Sequence, residues 1–319
     1  MNLTIIGTGS SAPKCIKTNF QLSEMVDTTD EWITSRTGIK ERHIITDETI
    51  SQIASEAAVA ALENSGVTSE ELDYIICATL RGDYITPSLA CEVQRIIGAT
   101  CPAFDVNAAC SGFIYSLDIA SALFTAKKAK KILVVAAESL SKLVDWKDRA
   151  TCVLFGDGAG AVVLSDSDNL LAIKLTARGA AESLFIPSIR SNSPFCEHSE
   201  IESYINMDGG EIYKFAVTAI HNELTNIIKT AGISESMIDY VLLHQANVRI
   251  IEAAANKFKI PKEKYLVNIS KYGNTSAASI PILLDEANRE GKFKKGDYLA
   301  LCAFGGGLTT GACIIRWDK

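Results

Sequence analysis

The hydrophobic pattern of the chain alternates short continuous apolar runs with longer segments in which apolar residues recur with a helical period. The continuous runs predict buried strands. They occupy residues 3–6, 103–106, 132–136, 265–267, 298–303 and 312–315. The periodic segments predict helices, and they occupy residues 50–65, 212–230, 247–257 and 276–290. This alternation indicates a layered α/β fold whose strands are buried on both faces. Residues 178–206 follow neither pattern and predict a loop or cap region.

Two sequence patterns occur twice. The stretch GVTSEELDYII at 66–76 returns as GISESMIDYVL at 232–242, and FGDG at 155–158 returns as FGGG at 304–307. Both patterns keep their order, and this predicts a duplicated βα unit with pseudo-twofold symmetry. The polar stretch 165–169 lies between the copies. We therefore expect an N-terminal half at 1–167 and a C-terminal half at 168–319.

Composition narrows the class of protein. Of 319 residues, 47% are hydrophobic and 22% charged, as in compact globular proteins. The net charge of −7 argues against nucleic-acid binding. No apolar run approaches the ~20 residues needed to cross a membrane, and the first residues do not form a secretion signal. Nine cysteines without a Cys-x-x-Cys pair indicate reduced thiols, and four histidines without ligand spacing indicate no metal. We expect a cytoplasmic protein.

A glycine pattern near the N-terminus suggests one alternative. Residues 7–12, GTGSSA, match the dinucleotide fingerprint G-x-G-x-x-A. However, Pro13 would fall early in the required helix, and residues 10–20 have no helical period. These features disfavour a nicotinamide-dependent oxidoreductase. We expect a tight turn after the first strand instead.

A cysteine stands where an apolar strand changes into a helix. The run 103–106 is short and apolar, and apolar residues from Phe113 onward predict a buried helix. Cys110 therefore lies near the N-terminus of that helix. Free N–H groups and the helix dipole favour an anion there, so we expect a lowered pKa for its thiol. A free cysteine is also commonly a small core residue, so this stretch alone leaves both readings open.

Three further motifs follow strands of the second half. They are HQAN at 244–247, GNTSAAS at 273–279 and FGGG at 304–307. Strand-to-loop junctions are where α/β proteins place ligands, and a glycine backbone can approach a ligand closely. Singly, the motifs are also explained by a core histidine, an N-cap asparagine and a glycine turn.

Together with Cys110, these motifs resemble the thiolase-superfamily condensing enzymes, and most closely the β-ketoacyl-acyl-carrier-protein synthase III family. The resemblance extends to TDEW at 29–32, RTGI at 36–39, AACSGF at 108–113 and FGDGA at 155–159. It implies a thiolase-like α/β fold, in which the two halves form five alternating layers (α-β-α-β-α), and a homodimer. It also implies initiation of type II fatty-acid synthesis. A relative with the same Cys-His-Asn set that acts in secondary metabolism is the alternative.

The resemblance implies a catalytic role for each motif. Cys110 would take an acyl group from acyl-CoA, with the backbone N–H groups of Cys110 and Gly306 as the oxyanion hole. His244 and Asn274 would donate hydrogen bonds to the enolate left when malonyl-acyl-carrier protein loses CO₂. The CoA thioester is a substrate, so no cofactor is expected.

The resemblance also implies binding residues. They are Thr28, Trp32, Arg36 and Arg149 for CoA, Asn247 for the pantetheine arm, and Lys214, Arg249 and Lys257 for the acidic carrier protein. Some members have a bulky aromatic residue at the position of Thr86, which reaches across the dimer and closes the acyl pocket. The smaller Thr86 leaves the length and branching of the primer open.

Overall fold

A computed structural model describes residues 2–188, 194–195 and 203–319 of the chain. The strands are β1 (Thr4–Ser11), β2 (Cys15–Thr18), β3 (Glu41–Ile44), β4 (Tyr74–Ala78), β5 (Ala103–Val106), β6 (Lys131–Ser139), β7 (Asp157–Ser165), β8 (Leu170–Ala180), β9 (Leu184–Phe185), β10 (Asn206–Met207), β11 (Ile238–Leu243), β12 (Tyr298–Gly305) and β13 (Gly307–Arg316). The helices are α1 (Asn19–Ser23), α2 (Asp30–Thr37), α3 (Ile50–Ser65), α4 (Leu89–Ile97), α5 (Gly112–Thr125), α6 (Gly209–Ala231), α7 (Val248–Ala255), α8 (Ile269–Tyr272) and α9 (Ser279–Arg289).

Two large sheets repeat one strand order. Within the described residues, the first has five strands in the order β1-β7-β6-β4-β5, and the second has four in the order β11-β12-β13-β8. In the first sheet β4 and β6 are parallel, whereas β7 is antiparallel to both β6 and β1. In the second sheet β11 and β12 are parallel, whereas β13 is antiparallel to both β12 and β8. The duplication predicted from the repeats is confirmed, because β1-β7-β6-β4 corresponds to β8-β13-β12-β11.

The repeated sequence patterns form the same local structure in each half. Gly66 and Gly232 end α3 and α6 in the left-handed conformation. Each glycine is followed by a short 3₁₀ turn and then by a strand, β4 or β11.

Helices cover and separate the two sheets. α3 and α4 pack on the outer face of the first sheet, and α6 packs on the second sheet with α7 against it. α5 and α9 lie between the sheets and contact both. Phe113, Ile114 and Leu117 of α5 are fully buried, which explains the apolar character of this helix on several faces. The result is the five-layer α-β-α-β-α arrangement that the resemblance implied. No described helix is long and apolar enough to cross a membrane.

The glycine pattern near the N-terminus is part of a strand. The tight turn expected after the first strand is wrong, because β1 continues to Ser11. A Cβ atom at Gly9 would lie 2.3 Å from the carbonyl oxygen of Ala57, and one at Gly7 would lie 2.4 Å from that of Ala61. Both carbonyls belong to α3, so the glycines let the helix backbone pack directly against the strand.

Other expectations differ from the structure in detail. The strand expected at 265–267 is reduced to a single bridge between Tyr265 and Val241. The helix expected at 276–290 begins as a 3₁₀ turn, Ser276–Ala278, before α9. The expected cap at 178–206 contains the end of β8 together with β9 and β10, while 189–193 and 196–202 lie outside the described residues.

Candidate active site

One cavity brings together the three predicted catalytic residues. It has a volume of about 1540 Å³, and Cys110, His244, Asn274 and Gly306 all line it. It lies at the carboxyl ends of strands from both sheets, since Cys110 follows β5, His244 follows β11 and Gly306 follows β12. The site therefore takes its residues from both halves of the chain.

Cys110 lies in a tight turn between β5 and α5. A 3₁₀ turn, Ala109–Ser111, joins directly to the first residue of α5. Ala109 has a positive φ of 47°, and its N–H donates to Asn107 Oδ1 at 3.3 Å. Positive φ is uncommon for a residue with a side chain, and such strain is often found at active sites. The predicted strand-to-helix position of the cysteine is confirmed.

The predicted lowering of the Cys110 pKa is wrong. The pKa of the thiol is raised to about 12, mainly by burial; the Ser276 side chain acts in the opposite direction, and Glu138 makes a smaller contribution that raises the pKa. A thiolate would lose part of its hydration in the cavity, and this loss outweighs the stabilisation expected at the helix N-terminus. Cys110 is therefore a thiol in the resting protein.

The turn between β12 and β13 packs against the Cys110 turn. A Cβ atom at Gly305 would lie 2.7 Å from the backbone nitrogen of Cys110, so only glycine permits this approach. Thr309 Oγ1 lies 3.0 Å from the carbonyl oxygen of Ala108 and 3.1 Å from that of Gly306, and so joins the two turns. Gly306 thereby lines the cavity beside Cys110.

His244 is a buried, neutral imidazole. Its backbone N–H donates to the carbonyl oxygen of Cys302 at 2.9 Å, and its Nδ1 lies 2.7 Å from Ser279 Oγ. Its ring meets that of Phe304 edge to face, with 5.2 Å between centroids. Burial lowers the pKa of His244 to about 3, so the ring has a single N–H at neutral pH.

Three hydrogen bonds hold Asn274 in place. Its backbone N–H donates to the carbonyl oxygen of Leu154 at 2.9 Å, and its own carbonyl accepts from the N–H of Gly156 at 3.1 Å. Its side-chain Oδ1 accepts from the N–H of Ser276 at 2.9 Å. The remaining amide group, Nδ2, is the one that can donate to a ligand in the cavity.

An aromatic ring and two arginines form one side of the cavity mouth. Trp32 is half-buried, with the guanidinium groups of Arg36 and Arg149 at 4.9 Å and 5.2 Å from its ring centroid. Trp32 and Arg36 line the cavity, whereas Arg149 contacts Trp32 and donates to the carbonyl oxygen of Asp27 at 2.8 Å. Thr28 Oγ1 is buried and has no hydrogen-bond partner.

The N-terminal end of α7, which packs against α2, also contributes to the cavity lining. Asn247 lines the cavity and is the N-cap of α7, since its Oδ1 accepts from the N–H of Arg249 at 2.9 Å. Arg249 is exposed at the cavity edge. Lys214 and Lys257 are exposed outside the cavity lining, and Lys214 is paired with Glu211 at 2.8 Å.

Thr86 does not line the cavity of its own chain. It is exposed, whereas its neighbour Ile85 lines the cavity with 91% of its surface exposed.

Sequence reasoning missed two residues close to Cys110, which are Ser276 and Glu138, and one beside His244, which is Ser279. Ser276 and Ser279 belong to the GNTSAAS motif, but no role was assigned to them. Glu138 is 1% exposed and accepts a hydrogen bond from the N–H of Leu80 at 3.1 Å, and burial raises its pKa to about 8. Its only signal in the sequence is a lone acidic residue at the end of an apolar strand. Among the described residues, no cluster of His, Cys, Asp and Glu has an arrangement suited to a metal.

Comparison with known proteins identifies the family. Residues 104–179 match the 3-oxoacyl-[acyl-carrier-protein (ACP)] synthase III family, and residues 228–317 match its C-terminal region. The β-ketoacyl-[acyl-carrier-protein] synthase III of Aquifex aeolicus is 50% identical, covering 99% of this chain and 100% of its own. The corresponding protein of Clostridium acetobutylicum is 45% identical, covering 100% and 99%.

Solved structures agree with these matches. The crystal structure of the Aquifex aeolicus protein has a TM-score of 0.92 to this chain, covering 99% of this chain and 100% of its own. That of 3-oxoacyl-(acyl carrier protein) synthase III from Pseudomonas aeruginosa has a TM-score of 0.93 at 36% identity, covering 100% and 99%. The chain has the thiolase-like fold and belongs to the 3-oxoacyl-[acyl-carrier-protein] synthase III family.

Proposed function

We propose that the protein catalyses the decarboxylative condensation of an acyl-CoA primer with malonyl-acyl-carrier protein. The product is a 3-oxoacyl-acyl-carrier protein, and the reaction initiates type II fatty-acid synthesis. The observation that carries this proposal is that Cys110, His244 and Asn274 line one cavity in a chain of this family.

In the first half-reaction, the Cys110 sulfur attacks the thioester carbon of the primer. The Sγ–C bond forms as the thiol loses its proton, the bond from that carbon to the CoA sulfur breaks, and CoA leaves as a thiol after taking up a proton, while the acyl group stays on Cys110. Negative charge develops on the carbonyl oxygen, where the N–H groups of Cys110 and Gly306 donate to it. Covalent capture divides one difficult carbon–carbon bond formation into two easier steps.

In the second half-reaction, malonyl-carrier protein loses CO₂ and the electron pair moves into an enolate. The neutral His244 ring and the Asn274 amide donate hydrogen bonds to the enolate oxygen. The enolate carbon then attacks the acyl carbon, the bond to Cys110 Sγ breaks, and the released thiolate takes a proton from solvent to restore the thiol. Two neutral donors suffice because loss of CO₂, rather than a strong base, generates the carbanion, and no cofactor is needed.

The residues at the mouth are assigned to substrate binding. Trp32, flanked by Arg36 and Arg149, offers a ring face and two cations to the CoA adenine and phosphates, and Thr28, which lies outside the cavity lining, is assigned to the same site by the family resemblance. Asn247 lies beside the pantetheine path. The exposed cations Lys214, Arg249 and Lys257 suit the acidic carrier protein.

A homodimer in the cytoplasm completes the proposal. In the described residues β5 is an edge strand that pairs only with β4, and all four of its residues are partly exposed. An unpaired strand edge is a ready site for pairing with a second copy. The exposed Ile85 and Thr86 suit a position between subunits, with Thr86 at the partner's acyl pocket.

The eight cysteines in the described residues are free thiols, which suits a reducing compartment such as the cytoplasm.

Acyl transfer to Cys110 is tested by intact mass after mixing the protein with a panel of acyl-CoAs. The wild type should gain one acyl mass, and Cys110→Ala should gain none. Cys91→Ala is the matched control, because Cys91 is also a partly exposed free thiol, and it should acylate normally. An adduct that persists in Cys110→Ala would place the nucleophile elsewhere.

A further inference from the structure

A fully buried arginine lies behind the active-site cavity. Arg42 on β3 is 0% exposed and is outside the cavity lining. Its pKa is lowered to about 10, mainly by burial, so the guanidinium is still charged at neutral pH. In the described part of the chain it donates hydrogen bonds to three oxygen atoms, none of which belongs to a carboxylate. Burying a charge without an opposite charge is costly, so the position of this arginine calls for an explanation.

The guanidinium group of Arg42 joins segments that are far apart along the chain. Its Nη1 donates to the carbonyl oxygen of Lys17 at 3.1 Å and to Asn19 Oδ1 at 2.8 Å. Its Nη2 donates to the carbonyl oxygen of Val153 at 2.8 Å. The planar fork of an arginine holds such partners at a fixed separation, which a lysine cannot do.

The segment bound by Nη2 is the one that holds the backbone of Asn274. The N–H of Asn274 donates to the carbonyl oxygen of Leu154, the residue after Val153, at 2.9 Å. The carbonyl oxygen of Asn274 accepts from the N–H of Gly156 at 3.1 Å. Residues 153–156 therefore set the position of Asn274, and Arg42 holds the first of them.

The stem of Arg42 packs against the same two segments. A Cβ atom at Gly156 would lie 3.1 Å from Arg42 Cβ, and one at Gly273 would lie 3.4 Å from it. The backbone leading into β3 also contacts this region, because the N–H of Lys40 donates to the carbonyl oxygen of Ser270 at 3.1 Å. Arg42 thus contacts the residue before Asn274 as well as the segment to which Asn274 is hydrogen-bonded.

We propose that Arg42 is a positioning residue for the condensation half-reaction, because it fixes the backbone of Asn274 and so directs the side-chain amide toward the enolate oxygen. Arg42 touches neither the substrate nor the reacting atoms and acts through Asn274 alone. This role deepens the proposed function and rests on Asn274 as a donor to the enolate. A displacement of about 1 Å in a catalytic group can cost about 10²-fold in rate, so a distant support of this kind has a measurable effect.

The experiment compares the two half-reactions in variants of Arg42. Arg42→Met keeps most of the apolar stem and removes the charge and the hydrogen bonds, whereas Arg42→Lys keeps the charge without the fork. Enzyme acylated beforehand is mixed with malonyl-carrier protein, and the release of labelled CO₂ is timed. We expect this rate to fall by about 10- to 10²-fold in Arg42→Met and by less in Arg42→Lys. Acyl-Cys110 formation at saturating acyl-CoA, followed by intact mass, should stay within about threefold of wild type, since Asn274 acts on the later step.

A double variant separates positioning from general support of the fold. In Asn274→Ala the amide is already absent, so adding Arg42→Met should lower CO₂ release by no more than about twofold further. Asn169→Ala is the control for lost buried hydrogen bonds. Asn169 is 2% exposed and is bonded to Thr4 at 3.1 Å and to Arg316 at 2.8 Å, but it lies outside the cavity lining. Both half-reactions of this control should stay near the wild-type rates.

A further variant keeps the test decisive if the Arg42 variants do not fold. A Cβ atom at Gly156 would lie 2.2 Å from the carbonyl oxygen of Tyr272, so Gly156→Ala pushes the same two segments apart while Arg42 is intact. It should show the same selective loss of CO₂ release, and a loss shared equally by both half-reactions, or no loss, would contradict the proposal.

Three results with the Arg42 variants would also overturn it. They are an unchanged rate of CO₂ release in Arg42→Met, an equal fall of both half-reactions, and losses from Arg42→Met and Asn274→Ala that multiply in the double variant. Failure of the proposed function is distinguishable, because the wild type itself would then form no acyl-Cys110 or release no CO₂ from malonyl-carrier protein.

Discussion

Ser279 Oγ lies 2.7 Å from Nδ1 of His244 and also accepts a hydrogen bond from the backbone N–H of Gln245 at 3.2 Å. With the Gln245 N–H already pointing at Oγ, the serine proton is available for Nδ1. We infer that Ser279 donates to Nδ1, which places the single proton of the neutral ring on Nε2. This is the tautomer that can donate to an enolate oxygen.

Ser279→Ala should therefore weaken condensation more than acylation. Without the hydroxyl, the ring loses the partner that fixes its tautomer and orientation, and we expect CO₂ release to fall by roughly tenfold, less than the loss of a whole oxyanion donor. Rates of acyl-enzyme formation and of labelled CO₂ release should be measured separately. Ser55→Ala is the control, because Ser55 is also buried but its Oγ has no partner to lose. An equal fall of both rates in Ser279→Ala would contradict the tautomer assignment.

The decarboxylation step should be insensitive to pH in the range where histidine usually titrates. The folded pKa of about 3 lies below the ordinary value of 6.5, so His244 stays neutral and keeps its donor from about pH 8 down to about pH 5. CO₂ release by enzyme acylated beforehand should be flat over this range. A fall centred near pH 6.5 would show that His244 titrates normally.

Acid stability is the second consequence of the low His244 pKa. In the unfolded chain this histidine gains a proton at its ordinary pKa of 6.5, before the folded protein does. Its contribution to stability is therefore complete above pH 6.5 and is lost as pH falls from 6.5 toward about 3.

Asn274→Ala should separate the two half-reactions. In the proposed function its amide donates to the enolate oxygen, which gains most charge as CO₂ leaves, so we expect the side chain to act mainly on that later transition state. We expect acyl-enzyme to form at a rate near wild type while CO₂ release falls by roughly 10²–10³-fold. His244→Ala should follow the same order. If Asn274→Ala loses acylation as severely as decarboxylation, its role is to hold the Ser276 turn.

Trp32→Ala should weaken the binding of acyl-CoA. Without the ring, acyl-CoA loses a surface to stack on, and the two guanidinium groups lose the ring that they face. We expect the binding free energy of acyl-CoA to weaken by about 1.4 kcal/mol, which would raise its KM roughly tenfold. KM for malonyl-carrier protein should stay within about twofold, since non-contacting surface positions have small effects. Phe20→Ala serves as the control, because Phe20 is exposed and outside the cavity lining. Unchanged KM for acyl-CoA would remove Trp32 from the site.

Thr86→Phe should select against large primers. If Thr86 closes the acyl pocket of the partner subunit, added volume matters only where the substrate needs that space. Turnover of long or branched acyl-CoAs should fall more than turnover of acetyl-CoA, and a comparison of kcat/KM across chain lengths measures this. Equal losses at every length would show that Thr86 is not part of the pocket.

Local patterns in the sequence were sufficient for the layered α/β class, for the duplication and for the position of the cysteine, whereas the five-layer thiolase-like arrangement followed from the family resemblance. The apolar run of β5 and the small-residue helix α5 fix the corner at Cys110, and the repeats at 66–76 and 232–242 indicate the duplicated order of strands. The boundary between halves at 167 and 168, the roles of the site residues, the dimer and the cytoplasmic location stay predictions.

Some properties of the site could not be predicted from the sequence, because they depend on contacts between segments that are distant along the chain. The pKa of Cys110 follows from burial beneath loops of both halves, so the local helix-terminus argument predicted the wrong direction. The sequence around Gly7 and Gly9 resembles a phosphate-binding turn, but in the structure α3 packs directly against both glycines. Glu138 and Ser276 are far apart along the chain, and no pattern within either segment indicates that β6 packs against the turn that carries Ser276.

The duplicated turns at 155–158 and 304–307 have diverged at one position, where Asp157 corresponds to Gly306. Asp157 is fully buried and accepts hydrogen bonds from the N–H groups of Ile45 and Ser141, so it braces its turn. Gly306 has no side chain and leaves its backbone open to the cavity. An acidic side chain there would oppose the charge that develops on the substrate. Of the two related segments, one therefore carries a buried side chain that supports the fold, and the other leaves its backbone free to contact a ligand in the cavity.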